Sequence, residues 1–145
     1  MKSIKVFIFV LFSFLLNSYT LINNRQHIGK WMGKDNHDIG YLILDKEGYA
    51  SFEINGKVLG GKESYRKQEK VKMEYQVDYS KNPIEIDLII STIKTNKEQE
   101  RIKGIIEFIS TEKMILALQF NSTGERPENF TKNNSITLHK EIVLN

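Results

Sequence analysis

Lys70-Val71-Lys72-Met73-Glu74-Tyr75-Gln76-Val77-Asp78-Tyr79 alternates polar and apolar residues almost without a break. Val71, Met73, Tyr75, Val77 and Tyr79 share one face, and Lys70, Lys72, Glu74, Gln76 and Asp78 share the other. Successive side chains of a strand point to opposite sides of the pleat, so a period of two marks a strand with one buried and one wet face. Downstream, past a turn at Ser80-Lys81-Asn82-Pro83, the residues Ile84, Ile86, Leu88 and Ile90 form a second such face opposite Glu85 and Asp87. Thr95 to Glu100 reads as a polar turn. Arg101 to Ile109 is a strand with apolar residues on both faces, where Gly104 marks a bulge or close packing. Met114, Leu116, Leu118 and Phe120 continue the inward series, Asn121 to Thr131 is a loop, and Ser135 to Val143 closes the chain.

Upstream of the ladder the pattern is similar. Gly29-Lys30-Trp31 opens the first strand. Ile39 to Leu44 is the second, with Ile39, Tyr41 and Ile43 on one face. Asp45-Lys46-Glu47-Gly48 is a turn, since Asp favours turn starts and Gly allows positive φ. Tyr49 to Ile54 is the third strand, and Asn55-Gly56 is the strongest hairpin signal in the chain. Lys57 to Leu59 returns and is stopped by Gly60-Gly61, and Lys62 to Glu69 is read as a solvated loop or a single helical turn. No amphipathic helix, repeat or linker interrupts this series. The reading is an all-β domain, a small antiparallel up-and-down barrel of about eight strands.

The first twenty residues are of another kind. Lys2 and Lys5 form a basic head, Val6 to Leu16 is apolar apart from Ser13, and Asn17-Ser18-Tyr19-Thr20 is polar and mostly small. That order predicts a secretory signal peptide over residues 1–20, with a barrel domain over 21–145. The apolar core is shorter than the ~20 residues of a membrane span, so no stable span is expected after cleavage. With no cysteine in the chain, neither a lipid anchor nor a disulfide is available. The expected location is periplasmic or secreted, and non-lipidated. Two of the 21 basic residues and none of the 18 acidic ones lie in the leader, which brings the net charge from +3 to +1. That balance does not resemble the concentrated basic surface of a nucleic-acid binder.

Gly29-Lys30-Trp31 resembles the Gly-x-Trp opening of lipocalins and related calycin barrels. A longer likeness runs through Tyr79-Ser80-Lys81-Asn82-Pro83-Ile84-Glu85-Ile86-Asp87-Leu88, then Lys103-Gly104-Ile105-Ile106-Glu107-Phe108, then Arg126-Pro127-Glu128-Asn129-Phe130. Their order and spacing are similar to those of a bacterial lipocalin-like domain family of uncharacterised function. The resemblance spans roughly Gln26 to Lys140 and implies an antiparallel barrel, but no reaction. In lipocalins an Arg near the end of the last strand covers the early Trp, whereas Lys140 stands in the comparable place here. Lysine can lay its stem on the indole but lacks the planar stacking of a guanidinium. Arg126 would substitute only if its loop folded back to the closed end. The resemblance therefore casts Trp31, Lys140 and Arg126 as structural closure.

Several look-alikes of reactive sites have plainer readings. Gly56-Lys57-Val58-Leu59-Gly60-Gly61-Lys62 has the spacing of a phosphate-binding loop, but Glu63 stands where a Ser or Thr must bind magnesium. His27, His37 and His139 are too scattered for a zinc signature, and Asp35, His37 and Asp38 sit in a polar loop. No nucleophile elbow is present, and Glu85 and Asp87 read as the wet face of a sheet rather than as an acid and base. No catalytic residue, metal or cofactor is expected.

Two function classes stay open. The first is a non-enzymatic barrel holding one small apolar or amphipathic ligand, lined by Tyr41, Phe52, Tyr75, Leu88, Phe108, Leu116 and Phe120. The same residues would serve a side-chain-filled core equally well. The second is an envelope interaction module, an inhibitor or accessory subunit. Its contacts would come from Gly124–Phe130, from Lys62–Glu69, or from an apolar patch where Ile105 and Ile109 face outwards.

Overall fold

The computed structural model describes residues 24–35, 38–120 and 124–142; the predicted leader lies outside them. The described chain is all-β, with ten antiparallel strands. They are β1 (Gly29–Asp35), β2 (Asp38–Leu44), β3 (Ala50–Ile54), β4 (Lys57–Gly60), β5 (Ser64–Arg66), β6 (Glu69–Asp78), β7 (Ile84–Thr92), β8 (Glu98–Ser110), β9 (Lys113–Leu118) and β10 (Ser135–Lys140). One sheet contains all ten in the order β4-β3-β2-β1-β10-β9-β8-β7-β6-β5. First and last strands are joined through Trp31↔Lys140, Met32↔His139 and Gly33↔Leu138.

The sheet therefore has its ends at β4 and β5 and curls until β6 meets β3, β4 and the turn before β3. Met73 N–H donates to Gly61 O at 2.9 Å, Tyr75 N–H donates to Gly48 O at 2.9 Å, and Tyr49 bridges to Glu74. The result is a nearly closed barrel. Gly60 turns the chain at this seam: its φ is +91°, and an added Cβ would stand 2.8 Å from Ala50 O. The glycines of the apparent phosphate-binding loop thus serve the end of β4 and the seam.

The strand count corrects the expectation of about eight. Lys62–Glu69, read as a loop or helical turn, contains β5, which pairs with β6 through Ser64↔Val71, Tyr65↔Lys70 and Arg66↔Glu69. Its turn puts Lys67 and Gln68 at φ of 48° and 69°. Non-glycine residues adopt that region uncommonly, so these two gave no turn signal. The polar turn expected over Thr95–Glu100 is also shorter, because β8 already starts at Glu98.

The alternation on β6 and β7 gives the inner wall: Val71, Met73, Ile86 and Leu88 are buried. On β2 the expected face is inverted. Leu42 and Leu44 are 3% and 0% exposed, while Ile39 is 45% exposed. That strand is apolar on both faces, so its own sequence cannot orient it. Pairing does, by setting Leu42 between Trp31 and Phe52.

The segment after β9 returns along the outer wall. Arg126 Nη1 donates to Gly104 O at 2.7 Å and to Ile86 O at 3.3 Å. Its Nη2 lies 2.7 Å from Asp87 Oδ1, and its Nε lies 3.5 Å from Glu85. Asp87 is shared with Arg101, whose Nη1 reaches Oδ2 at 2.9 Å. Arg126 is thus an outer clasp, and the closure role at Trp31 considered for it is not one it performs. Ile105, outward by register, is 2% exposed, so the expected outer apolar patch reduces to Ile109.

Gly104 admits no side chain, since a Cβ would stand 2.7 Å from Ala117 O and 2.5 Å from Leu118 Cδ2. Gly104→Val is expected to cost about 1–3 kcal/mol by overpacking, read from the denaturant midpoint. Arg126→Ala is expected to free the segment around residues 124–134, seen as faster limited proteolysis there, with only a small fall in melting temperature.

Candidate functional site

The two ends of the barrel differ. One is plugged. Trp31, fully buried, packs against Phe108 with ring centroids 6.1 Å apart, and Phe108 stacks on Tyr79 at 6.4 Å. Trp31 Nε1–H donates to His27 O at 2.7 Å, which satisfies the one polar atom of a buried indole. Lys140 Nζ lies 4.9 Å from the indole centroid and donates to Gln26 O at 3.0 Å. Its stem lies over Gly29, where a Cβ would come within 2.7 Å of Lys140 Cε. That approach explains why a glycine stands two positions before the tryptophan.

His27 completes the plug. Its backbone N–H donates to Tyr79 Oη at 3.3 Å, and its Nδ1 lies 2.8 Å from the same oxygen. The phenol oxygen thus accepts from the backbone and shares a second hydrogen bond with the imidazole, whose direction follows the ring tautomer. The ring meets Tyr75 edge-on at 5.3 Å, and Tyr75 Oη donates to Asp45 O at 2.5 Å. Burial holds the imidazole down to about 4, with Lys140 and Arg25 adding to the depression. Burial likewise raises Tyr75 and Tyr79 and lowers Lys140. Each of these groups is engaged in packing or a fixed hydrogen bond, and together they seal the end.

The other end is a cup. A cavity of about 590 Å³ opens between β1, β2, β3, β9 and β10 and the segment before β10. Leu42, Phe52, Leu116, Leu118, Ile136 and Leu138 form its apolar wall. Of the two glycines on this wall, it is Gly40 that leaves space. Gly33 and Gly40 are paired across β1 and β2, on the inward side shared with Trp31 and Leu42. Leu138 and Ile136 fill the space beside Gly33, whereas a Cβ on Gly40 would meet nothing closer than 3.7 Å. The opposite half of the barrel carries Met73, Ile86, Leu88, Ile102 and Ile106, which pack into the hydrophobic core, with Val71 buried beside them. The interior is therefore half plug and half cup.

This division distributes the residues proposed as lining. Phe52 and Leu116 line the cup, and Phe120 stands at its mouth, 71% exposed and beyond the end of β9. Leu88 is fully buried in the packed half, while Tyr75 and Phe108 belong to the plugged end. Tyr41 borders the cup, but its ring lies 4.0 Å from Lys30 Nζ, and that lysine pairs with Glu53 and Glu141 on the outer face. It therefore stands at the border of the cup with its ring on the outer side. Gly33 and Gly40 were missed, because absent side chains leave no apolar signal, and Leu42 because its strand was given the opposite facing. His27 was missed as well: nothing in its local sequence foretells burial.

Among the described residues, no three His, Asp or Glu side chains converge as a metal site, and His37 lies outside those residues. Compared with known proteins, the chain matches no family model, no curated protein and no solved structure.

The plug makes stability pH-dependent. The unfolded imidazole takes up a proton near 6.5, while the folded one resists it until about 4. The contribution is therefore complete above pH 6.5 and is lost as pH falls towards 4. Melting temperature is expected to drop across that window, and His27→Gln should flatten this slope in a pH series of thermal melts.

Proposed function

We propose that this chain is an exported, lipocalin-like barrel that binds one small apolar or amphipathic molecule in its open end, without catalysis. The observation that carries the reading is the apolar cup of about 590 Å³. Its size falls within the ~300–1,000 Å³ of small-ligand sites, and its few polar groups gather at the mouth, as orientation of such a ligand requires. A barrel whose interior exists only to be stable fills that interior with side chains, as the β6–β8 half of this one does. The sealing Trp31 under Lys140 supports kinship with lipocalin-type barrels, where an early tryptophan closes one end. The polar side chains with the strongest contacts, at the plug and at the Arg126 clasp, lie outside the cup, which favours binding over chemistry.

A second reading, an envelope interaction module, has one observation in its favour. The sheet ends at β4 and β5, where Val58 and Tyr65 are 58% and 68% exposed. An edge strand with exposed apolar side chains is a template for pairing with another chain.

Gly40→Leu separates the two. Its side chain would fill the cup at a position whose backbone is unstrained and whose Cβ meets only ordinary contacts. The variant is expected to melt within a few degrees of the parent and to bind an apolar fluorescent probe at least tenfold more weakly. Native mass spectrometry of the protein from its host's exported fraction should show a small-molecule adduct that Gly40→Leu lacks. Equal probe binding by both proteins sinks the cup reading and turns attention to the β4 and β5 edges.

A further inference from the structure

The net charge of +1 over residues 21–145 conceals an asymmetry. Residues 54–70 and 92–98 hold seven basic and three acidic side chains, which leaves twelve basic and fifteen acidic over the rest of 21–145. The two segments belong to one end of the barrel. Ile54, the last residue of β3, lines the cup. Tyr79, just past β6, sits in the plug, so the other end of β6, with its turn from β5, lies towards the opening. Ile93 N–H donates to Lys70 O at 3.0 Å, which sets the β7–β8 turn beside it. On its other side β6 adjoins β4. The β3–β4, β5–β6 and β7–β8 turns are therefore neighbours at the open end.

The described residues include every acidic side chain of the chain. Among them Lys62, Arg66 and Lys70 find carboxylates, whereas the exposed Lys57, Lys67, Lys94 and Lys97 have none within ion-pair distance. Five of the nine large apolar side chains that the described residues leave exposed stand beside these lysines: Ile54, Val58, Leu59, Tyr65 and Ile93. β4 is bare on both faces. Cross-strand partners share a face, so Leu59, paired with Phe52, lies on the cup side, and Val58, paired with Glu53, on the outer side. They are 47% and 58% exposed. The apolar lining of the cup thus runs on through Ile54 and Leu59 to the free edge of the sheet.

That mixture fits one class of partner. At the boundary of an anionic bilayer the apolar side chains leave water while the ammonium groups stay at the lipid phosphates. A soluble polyanion would engage the lysines and leave the apolar side chains in water. A second copy on the same face would bring like charges together, and lysine is depleted at protein interfaces. We infer that the open end of the barrel docks on an anionic lipid bilayer, with the β4 edge, Tyr65 and Ile93 entering the headgroup boundary and Lys57, Lys67, Lys94 and Lys97 on the phosphates. This goes beyond the cup reading and does not depend on it, since the same face would serve a filled barrel.

The test titrates the parent and three variants, all with the same N-terminus, with vesicles of phosphatidylcholine alone or mixed with phosphatidylglycerol. Lys57→Gln/Lys94→Gln removes two docking charges. Lys46→Gln/Lys81→Gln removes two exposed lysines from the turns after β2 and β6, at the plugged end, with the same change of net charge. Val58→Ser/Tyr65→Ser removes apolar side chains. All six positions are exposed, so each variant should melt within a few degrees of the parent. The parent is expected to bind mixed vesicles roughly tenfold or more tightly than neutral ones, and less so as salt rises. Lys57→Gln/Lys94→Gln should lose roughly tenfold on mixed vesicles, Val58→Ser/Tyr65→Ser severalfold, and Lys46→Gln/Lys81→Gln little. Absence of binding, equal affinity for the two compositions, or equal losses from the two lysine pairs overturns the inference and leaves the cup reading standing. Full binding by Val58→Ser/Tyr65→Ser also overturns it, because a purely electrostatic contact needs no bilayer. A lipid-free dimer in sedimentation that this variant dissolves gives the face to a second copy and overturns it too.

Discussion

The barrel depends on where its first strand is held. β1 lies between β2 and β10, so the beginning and end of the described chain are joined within the sheet and not at its edge. That placement puts Trp31 opposite both Leu42 and Lys140 and buries the indole completely. A residue of that size in a close-packed interior sets the position of everything touching it. Phe108 and Tyr79 stack outward from it, His27 is drawn across it by the Nε1–H bond, and Gly29 gives way to the Lys140 stem. The end so sealed is filled by these side chains. Whatever room the molecule keeps must therefore lie at the other end.

That room is one-sided for a reason of side-chain size. On β6 to β8 the inward positions carry Val, Met, Ile and Leu, whose branched and long side chains meet across the interior. On β1 and β2 an inward pair below the mouth is Gly33 and Gly40. A packed wall thus faces a vacant one. The seam at Gly60, Gly61 and Tyr49 closes the circuit without a continuous ladder, because backbone groups of a turn supply hydrogen bonds that a further strand would otherwise give. Asp87, held between Arg101 and Arg126, ties the segment before β10 to the outer wall, and that segment supplies Asn133, Asn134 and Ser135 to the rim. The outer clasp and the inner cup are connected through one stretch of chain.

Legibility followed periodicity. Where one face is apolar and the other charged, as on β6 and β7, local sequence orients the strand, because a shift of one residue would bury charge. Where both faces are apolar, as on β2, local sequence is silent: Tyr41 and Leu42 are equally acceptable inside until Trp31 and Phe52 choose between them. β5 escaped notice because its turn uses Lys67 and Gln68 in a conformation usually left to Gly or Asn. The cup was only partly legible for a different reason. Its wall residues Phe52 and Leu116 look like any core residues, and its vacancy comes from Gly40, whose significance depends on what stands opposite.

By itself, the sequence determined an all-β domain, its main inward faces on β6 and β7, its Asp45 and Asn55-Gly56 turns and the tryptophan of its first strand. These are local properties: alternation, turn chemistry and residue size act within a few positions of the chain. Only the tertiary structure decided the number of strands, the facing of β2, the burial of His27, the outward placement of Arg126 and the division of the interior into plug and cup. Each of those turns on pairs far apart in sequence, Trp31 with Lys140, Arg126 with Gly104, Tyr79 with His27. No local pattern encodes which distant side chain fills a space, or leaves it empty.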